Sequence, residues 1–174
     1  MTPLAIPKFK ASIIFSCIMF MIQPRVYALQ VGDSSPQIIG RDIQGGLFAL
    51  TRLENKPKVI NFFWVDCKPC RKELPLLSKK EQQYSKVIFV AIHAELNFKT
   101  DTNYDVRDIK VFSETLKSHP KKMVLGSDRL KKQYSLQGFP ATILLSANNT
   151  VEEILYGFNN KTIKQLDSWL KKQN

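Results

Sequence analysis

Residues 59–75 read VINFFWVDCKPCRKELP, and in this stretch an apolar run leads directly into two cysteines three positions apart. The run Lys58–Phe63 is nearly continuously apolar and rich in β-branched and aromatic residues, which predicts a strand buried on both faces. From Cys70 to Tyr84 apolar residues recur at helical spacing, and Pro75 is expected to kink that helix. The two cysteines are therefore predicted to lie at the first turn of a helix that follows a buried strand.

Cysteines at this spacing can form and break a disulfide within one helical turn. The N-terminus of a helix has unpaired N–H groups and about half a positive charge, which stabilise the thiolate of Cys67. Because the thiolate is the attacking species in thiol–disulfide exchange, Cys67 is the predicted nucleophile and Cys70 the thiol that resolves the mixed disulfide. Pro69 suits the first turn, where its missing N–H group costs nothing.

Three other interpretations of the cysteine pair stay open from the residues alone, although each is weaker. Half of a zinc site would need two more ligands, and His93 and His119 do not stand at zinc-motif spacing. A static structural disulfide that closes so short a loop would constrain the unfolded chain little. An inactive redox site is disfavoured because both sulfurs are present.

Strand-like and helix-like segments alternate along the rest of the chain. Strands are predicted at Gln37–Arg41, Leu47–Leu50, Val87–Ile92, Lys122–Leu125, Ala141–Leu145 and Val151–Tyr156. Helices are predicted at Asp105–Leu116, Ser127–Tyr134 and Lys161–Lys171. This order predicts an α/β fold in which a mixed central sheet is flanked by helices, with one hairpin at each end of the strand series.

The first 28 residues are predicted to be a secretory signal, which leaves residues 29–174 as one domain. Lys8 and Lys10 precede the uncharged run Ala11–Ile22, and Val26–Ala28 offers small residues at a cleavage site. An uncleaved membrane anchor through residues 11–22 is the first alternative. A lipoprotein cysteine at Cys17 is the second, and it is disfavoured because the apolar run continues beyond that residue.

The chain is basic, with 26 Lys and Arg against 15 Asp and Glu in 174 residues, for a net charge of +11. Three of the basic residues and no acid lie within residues 1–28, so the remainder carries +8. Its lysines are scattered in pairs along predicted helices without interleaved aromatic residues, which argues against nucleic-acid binding. We expect this charge to favour solubility and attraction to acidic partners or anionic lipid.

Residues 59–75 resemble the active-site stretch of the TlpA/ResA-like thiol-disulfide oxidoreductases of the thioredoxin superfamily. Residues 138–142, Gly-Phe-Pro-Ala-Thr, resemble the second landmark of that family, a loop whose cis-proline faces the cysteine pair. The similarity covers most of Val31–Leu170. It implies a thioredoxin-like fold with an N-terminal hairpin and a central helix-strand insertion before Pro140.

The resemblance also implies a function. Cys67 and Cys70 would form a redox-active disulfide with no other cofactor and no metal, and exchange would occur in the periplasm or at the membrane, often in cytochrome c maturation. The implied substrates are disulfide-containing extracytoplasmic proteins, apocytochrome c among them. The implied electron donor is a membrane thiol reductase, and the protein itself is expected to be a monomer. The Lys68-Pro69 dipeptide resembles those of reducing members, which favours a reductant.

Several side chains acquire expected roles from the resemblance. Pro140 is expected in a cis bond, which would present the backbone of Phe139 to an extended substrate segment. Gly138 and Trp64 are the other predicted substrate contacts. Lys68 is expected to lower the pKa of the Cys67 thiol.

The sequence departs from the family pattern at three places. Asp66 replaces the tryptophan before the first cysteine, and its carboxylate is expected to raise the pKa of Cys67. Asn61 stands where thioredoxin has a buried aspartate for proton transfer. Glu95 lies within one residue of a glutamate that does comparable work in some relatives, so it is a candidate catalytic residue, with an exposed loop carboxylate as the alternative. His93 is interpreted as a strand-end histidine whose polar atoms are satisfied, rather than as a catalytic residue.

Two further functions are compared with thiol–disulfide exchange. A peroxiredoxin-like peroxidase shares the lead-in and the strand pattern, but Trp64 stands three positions before Cys67 in place of the Thr or Ser that peroxide activation uses. A non-catalytic binding or chaperone module is the other alternative, and an insulin-reduction assay separates it from an oxidoreductase.

Overall fold

The computed structural model describes residues 28–94, 104–127 and 129–173. Within these ranges the strands are β1 (Ile39–Asp42), β2 (Leu47–Ala49), β3 (Lys58–Phe63), β4 (Ile88–His93), β5 (Lys122–Gly126), β6 (Ala141–Leu145) and β7 (Val151–Tyr156). The helices are α1 (Lys68–Gln83), α2 (Val106–Glu114), α3 (Arg129–Gln133) and α4 (Asn160–Lys171). The strands form one mixed seven-stranded sheet in the order β2-β1-β5-β4-β3-β6-β7, which confirms the predicted α/β architecture.

The strand before the cysteines lies at the centre of this sheet. β3 pairs in parallel with β4 and antiparallel with β6, and all six of its residues are buried. A strand covered on both faces needs apolar side chains on both, which is why the run Lys58–Phe63 lacks the alternation of a surface strand. The C-terminal end of β3 leads directly into α1 and so positions the cysteine pair at one end of the sheet.

Most predicted boundaries agree with the structure to within two residues. β3, β6 and β7 have the predicted limits, and α2 begins after Asp105, whose side chain accepts hydrogen bonds from the N–H groups of Arg107 and Asp108. α3 (Arg129–Gln133) lies within the predicted Ser127–Tyr134, and Asp128 lies outside the described residues. Pro75 lies inside a continuous α1, and the kink expected there stays a prediction.

Two of the sequence interpretations fall on parts of the chain that the structure does not describe. The predicted secretory signal lies outside the described residues except for Ala28. The candidate catalytic residue Glu95 also lies outside them. Among the helices of the described ranges, none is long and apolar enough to cross a bilayer.

A buried cluster of side chains joins the cysteine pair to the end of the sheet, and we call it the cysteine cluster. It packs α1 and α2 against the C-terminal ends of the parallel strands β3 and β4. Its buried members are Phe63, Val65, Cys67, Cys70, Leu74, Ala91, Ile109, Phe112 and Met123. The cysteines are thus fixed by the same apolar packing that attaches both helices to the sheet.

Candidate active site

The sulfur of Cys67 occupies the N-cap position of α1. It accepts a hydrogen bond from the backbone N–H of Cys70 at 3.2 Å, as the side-chain oxygen of a serine or aspartate would. Lys68 and Pro69 are the first two helical residues, and the proline removes an N–H group that would have no partner in the helix. The helix N-terminus therefore supplies both a donor and a partial positive charge to this sulfur.

Cys67 and Cys70 form a disulfide with an S–S distance of 2.01 Å. Cys67 is 8% exposed and Cys70 is fully buried. Lys68 and Asp66, the side chains of opposite charge that flank Cys67, are both exposed. Both cysteines are thus largely buried, and Cys67 is the one that keeps some contact with solvent.

This asymmetry predicts the order in which the reduced cysteines are alkylated. Cys67 should react first with limiting iodoacetamide, because its sulfur is nearer to solvent and its thiolate is stabilised by the helix N-terminus. Peptide mapping by mass spectrometry should find most of the first label on Cys67. Preferential labelling of Cys70 would contradict the assignment of the nucleophile.

Asn61, Glu73 and Thr142 form a buried polar cluster, which includes the residue one helical turn after Cys70. The Nδ2 group of Asn61 donates to Oε2 of Glu73 at 2.8 Å and to Oγ1 of Thr142 at 2.8 Å. Oγ1 of Thr142 in turn donates to Oε1 of Glu73 at 3.2 Å. All three residues are buried, so the carboxyl group of Glu73 has little contact with water. Two donors from the neighbouring strands β3 and β6 hydrogen-bond to it in place of water.

Burial raises the pKa of Glu73 to about 7, although the hydrogen bonds from Asn61 and Thr142 act in the opposite direction. Glu73 is three residues after Cys70 on the buried face of α1. A carboxyl group that titrates near neutrality beside a redox-active thiol is suited to accept or donate a proton. Glu73 is therefore a candidate functional residue that the sequence interpretation did not single out.

A sequence signal for Glu73 was present. Cys70, Glu73, Leu74 and Leu77 recur at positions i, i+3, i+4 and i+7, so a carboxylate occurs within the apolar face of the helix. Within the residues that the structure describes, Glu73 is the acidic residue found buried in this region, whereas Glu95 stays a prediction. Asn61 is buried where the resemblance implied, and its Oδ1 has no hydrogen-bond partner among the described residues.

His93 is buried at the C-terminal end of β4, as the sequence interpretation expected. Its ring contacts Phe63 and Tyr104 edge-on, at centroid distances of 5.6 and 5.0 Å. Burial lowers its pKa to about 4, and the nearby Asp108 counteracts this only in part. Its Nε2 has no hydrogen-bond partner within the described ranges, so the residue is packed but not fully satisfied.

The loop before β6 lies beside the end of β3. Ala141 pairs with Phe62 across the sheet, and the Phe139–Pro140 peptide bond is cis, as expected from the resemblance. Pro140 is buried, Gly138 and Phe139 are half-buried, and the ring of Phe139 packs against the cysteine cluster. Phe139 thus lies against the cysteine cluster, and its role as a substrate contact stays a prediction.

Trp64 occupies the turn between β3 and α1. It is half-buried against the cysteine cluster, and its carbonyl oxygen accepts a hydrogen bond from the N–H group of Cys67 at 3.1 Å. The side chain three positions before the nucleophile is therefore an indole and carries no hydroxyl. Among the described residues, no three His, Cys, Asp or Glu side chains cluster as they would around a metal ion.

The sequence of this chain is similar to those of known proteins. The sequence profile of the AhpC/TSA family matches residues 31–154. Curated relatives include the thiol-disulfide oxidoreductase ResA of Bacillus cereus, 26% identical over 149 residues (83% of this chain, 79% of the relative), and the thioredoxin-like protein YneN of Bacillus subtilis, 24% identical over 135 residues (76% and 75%).

Solved structures with a similar fold include proteins named for thiol–disulfide exchange. The thioredoxin domain of a thiol-disulfide oxidoreductase from Bacteroides vulgatus has a TM-score of 0.67 at 21% identity, with 82% of this chain and 99% of that chain covered. A thiol:disulfide interchange protein from Bacteroides sp. has a TM-score of 0.68 at 20% identity, with 83% and 93% covered. These neighbours confirm the predicted thioredoxin-like fold.

Proposed function

Since this chain belongs to the AhpC/TSA family and is a thiol–disulfide oxidoreductase, we propose that it reduces disulfides of other proteins outside the cytoplasm. The observation that carries the proposal is the position of Cys67, whose sulfur lies at the N-cap of α1 and accepts a hydrogen bond from the N–H of the fully buried Cys70. This geometry favours a thiolate at Cys67 and a protected second thiol behind it.

The proposed reaction starts from the reduced dithiol. The Cys67 thiolate attacks one sulfur of the substrate disulfide, forms a mixed disulfide and releases the other substrate sulfur as a thiolate, which takes up a proton. Cys70 then loses its proton and attacks Cys67, so the Cys67–Cys70 disulfide forms and the second substrate thiol leaves. Two electrons pass from the protein to the substrate in one cycle.

Glu73 is the proposed acceptor of the Cys70 proton. A thiol in an apolar site is reluctant to ionise, and a nearby base that is unprotonated at neutral pH makes the second attack faster. With a pKa of about 7, Glu73 is available in its basic form at about pH 8 and can return the proton when the dithiol is regenerated. Asn61 and Thr142 keep the carboxylate hydrogen-bonded inside the fold.

The cellular setting of the proposal rests on the sequence. The secretory signal predicted over residues 1–28 would bring the protein to the periplasm, or a membrane anchor over residues 11–22 would hold it at the membrane surface. The proposed substrates are extracytoplasmic proteins with disulfides, apocytochrome c among them, and the proposed electron donor is a membrane thiol reductase. A reducing role agrees with the Lys68-Pro69 dipeptide between the cysteines.

An insulin-reduction assay tests the proposed function. With dithiothreitol as the electron source, catalytic amounts of the protein should accelerate the precipitation of the insulin B chain, because Cys67 and Cys70 cycle between dithiol and disulfide. The same reduced protein mixed with hydrogen peroxide should show no comparable consumption of peroxide, since no hydroxyl stands at Trp64 to activate it. Rapid peroxide turnover without insulin reduction would replace the proposal with a peroxidase.

A further inference from the structure

A cleft of about 400 Å³ opens between α1 and the end of α2, and we call it the α1–α2 groove. Three of its six lining residues are cationic and none is acidic. The lining consists of Arg71, Lys72, Pro75, Thr115, Leu116 and Lys117. Its size lies in the range of protein sites that take small ligands or a few side chains.

The α1–α2 groove adjoins the redox site. Arg71 and Lys72 directly follow Cys70 in α1, and Leu116 packs against the cysteine cluster. On the helix, Lys68, Arg71 and Lys72 stand at positions i, i+3 and i+4, so they share one face. All three are exposed, and this positive face therefore runs from the first turn of α1 into the groove.

The cations of the groove are arranged for an anion. Arg71 is ordered by the hydrogen bond from Nη1 to Oγ1 of Thr115 at 3.0 Å and by the ring of Phe112, 4.7 Å below its guanidinium carbon. That hydrogen bond uses one of the five N–H donors of the guanidinium. Lys72 and Lys117, which also line the groove, are exposed, and Leu116 is half-buried.

We propose that the α1–α2 groove binds acidic side chains of the polypeptide segment that flanks the substrate disulfide. The inference rests on the proposed function and adds to it the chemistry of the preferred substrate. Carboxylates suit the planar fork of Arg71, which binds them in a bidentate manner, and Pro75 and Leu116 offer apolar contact to the methylene groups of Glu. Such exposed charge pairs mainly increase the rate of productive encounter and weaken with salt.

Three peptides test the groove. Each carries the same intermolecular disulfide and differs only in two flanking residues, which are Glu-Glu, Gln-Gln or Lys-Lys. The rate constant for reduction by the reduced protein, followed by stopped-flow tryptophan fluorescence, should be about tenfold larger for the Glu-Glu peptide than for the Gln-Gln peptide at low ionic strength. The ratio should approach one at about 1 M salt, where charges are screened within about 3 Å.

Matched variants locate the effect. The double variant Lys72→Glu/Lys117→Glu should lose the preference, with a Glu-Glu to Gln-Gln ratio at or below one. Lys86→Glu/Lys172→Glu changes the net charge equally at exposed positions outside the lining, and it should keep the ratio of the unmodified protein. Because the readout is the ratio of the Glu-Glu to the Gln-Gln rate constant, a general loss of activity in a variant cancels out.

Each contrary result has a separate meaning. Equal rates for the three peptides, or an equal loss of preference in the control variant, would overturn the groove and leave the proposed function in place. If the protein reduced none of the three peptides, that result would contradict both the proposed groove and the proposed function. Salt-sensitive binding to phosphatidylserine vesicles that disappears in Lys72→Glu/Lys117→Glu, together with no preference among the peptides, would assign the groove to a membrane surface instead.

Discussion

Replacement of Cys67 by serine should lower the rate of insulin reduction by at least about 1000-fold, to the level of dithiothreitol alone. The hydroxyl group of serine does not ionise near neutral pH, so the mixed disulfide cannot form even though the N-cap hydrogen bond to the Cys70 N–H can be retained. Because serine is also a good N-cap, the variant should remain folded. Residual catalysis well above the background would show that the buried Cys70 can itself attack substrates.

Cys70→Ser is the matched control for this prediction. It keeps the nucleophile and removes the resolving thiol, so it should also fail to turn over, but it should accumulate a mixed disulfide with the substrate that is visible by non-reducing electrophoresis and mass spectrometry. Cys67→Ser should give no such adduct. The same adduct in both variants would contradict the separation of roles between Cys67 and the more deeply buried Cys70.

Glu73→Gln should slow resolution of the mixed disulfide by about 100-fold at about pH 8, the size of effect typical of a lost general base. In the unmodified protein this rate should rise with pH through a midpoint near the pKa of Glu73, which is about 7, and in the variant that step in the profile should be absent. Single-turnover kinetics against pH measure both. A uniform loss of rate with an unchanged midpoint would mean that Glu73 serves packing alone.

Thr142→Val is the control that separates proton transfer from packing. The hydroxyl group of Thr142 lowers the pKa of Glu73 by donating to its carboxylate, and valine preserves the volume without the donor. The midpoint of the rate profile should therefore move to higher pH in this variant while the step itself is retained. A purely structural role for the cluster would leave the midpoint where it was.

The same Glu73→Gln substitution should change how stability depends on pH. The folded protein holds the Glu73 proton up to about pH 7, while the unfolded chain loses it near the ordinary glutamate pKa of 4.5. This residue therefore makes the free energy of unfolding fall as pH rises across that window. The fall amounts to about 3 kcal/mol. His93, with a pKa lowered from 6.5 to about 4, makes the free energy rise between those values.

The contributions of Glu73 and His93 oppose each other up to about pH 6.5, so urea unfolding of the oxidised protein should show a shallow profile there. Between about pH 6.5 and 7 only Glu73 acts, so the free energy of unfolding should decline and then level off. In Glu73→Gln, His93 is the one of these two groups that still titrates. The free energy of unfolding of this variant should therefore rise with pH and then level off. The difference between variant and unmodified protein should increase by about 3 kcal/mol between about pH 4 and pH 8. A constant difference would show that Glu73 titrates alike in the folded and unfolded states.

The parts of the fold that local pattern determines could be predicted from the sequence. β3 is buried on both faces and β6 and β7 form a hairpin, so their limits follow from hydrophobic runs and turn residues. The cysteine pair is a local arrangement too, since the spacing and the helix start place both sulfurs together.

The buried polar cluster could not be derived in the same way. Charged residues are rarely buried, so a glutamate on a helix face is ordinarily interpreted as exposed. Its burial is tolerated because Asn61 and Thr142, paired across β3 and β6 and separated by 81 positions in the chain, supply the donors. The α1–α2 groove is likewise formed by two helices that meet only in the folded protein.

The position of the Cys67 sulfur at the N-cap of α1 joins the redox chemistry of the chain to its folding equilibrium. Reduction exchanges a neutral disulfide sulfur for a thiolate, which the helix N-terminus binds more strongly. Folding and reduction form a closed thermodynamic cycle. Any difference in the free energy of unfolding between the reduced and the oxidised protein therefore equals the difference in reduction potential between the folded and the unfolded chain, at about 30 mV for each 1.4 kcal/mol. Denaturation of the two redox forms therefore provides electrochemical information about Cys67 and Cys70 without an electrode.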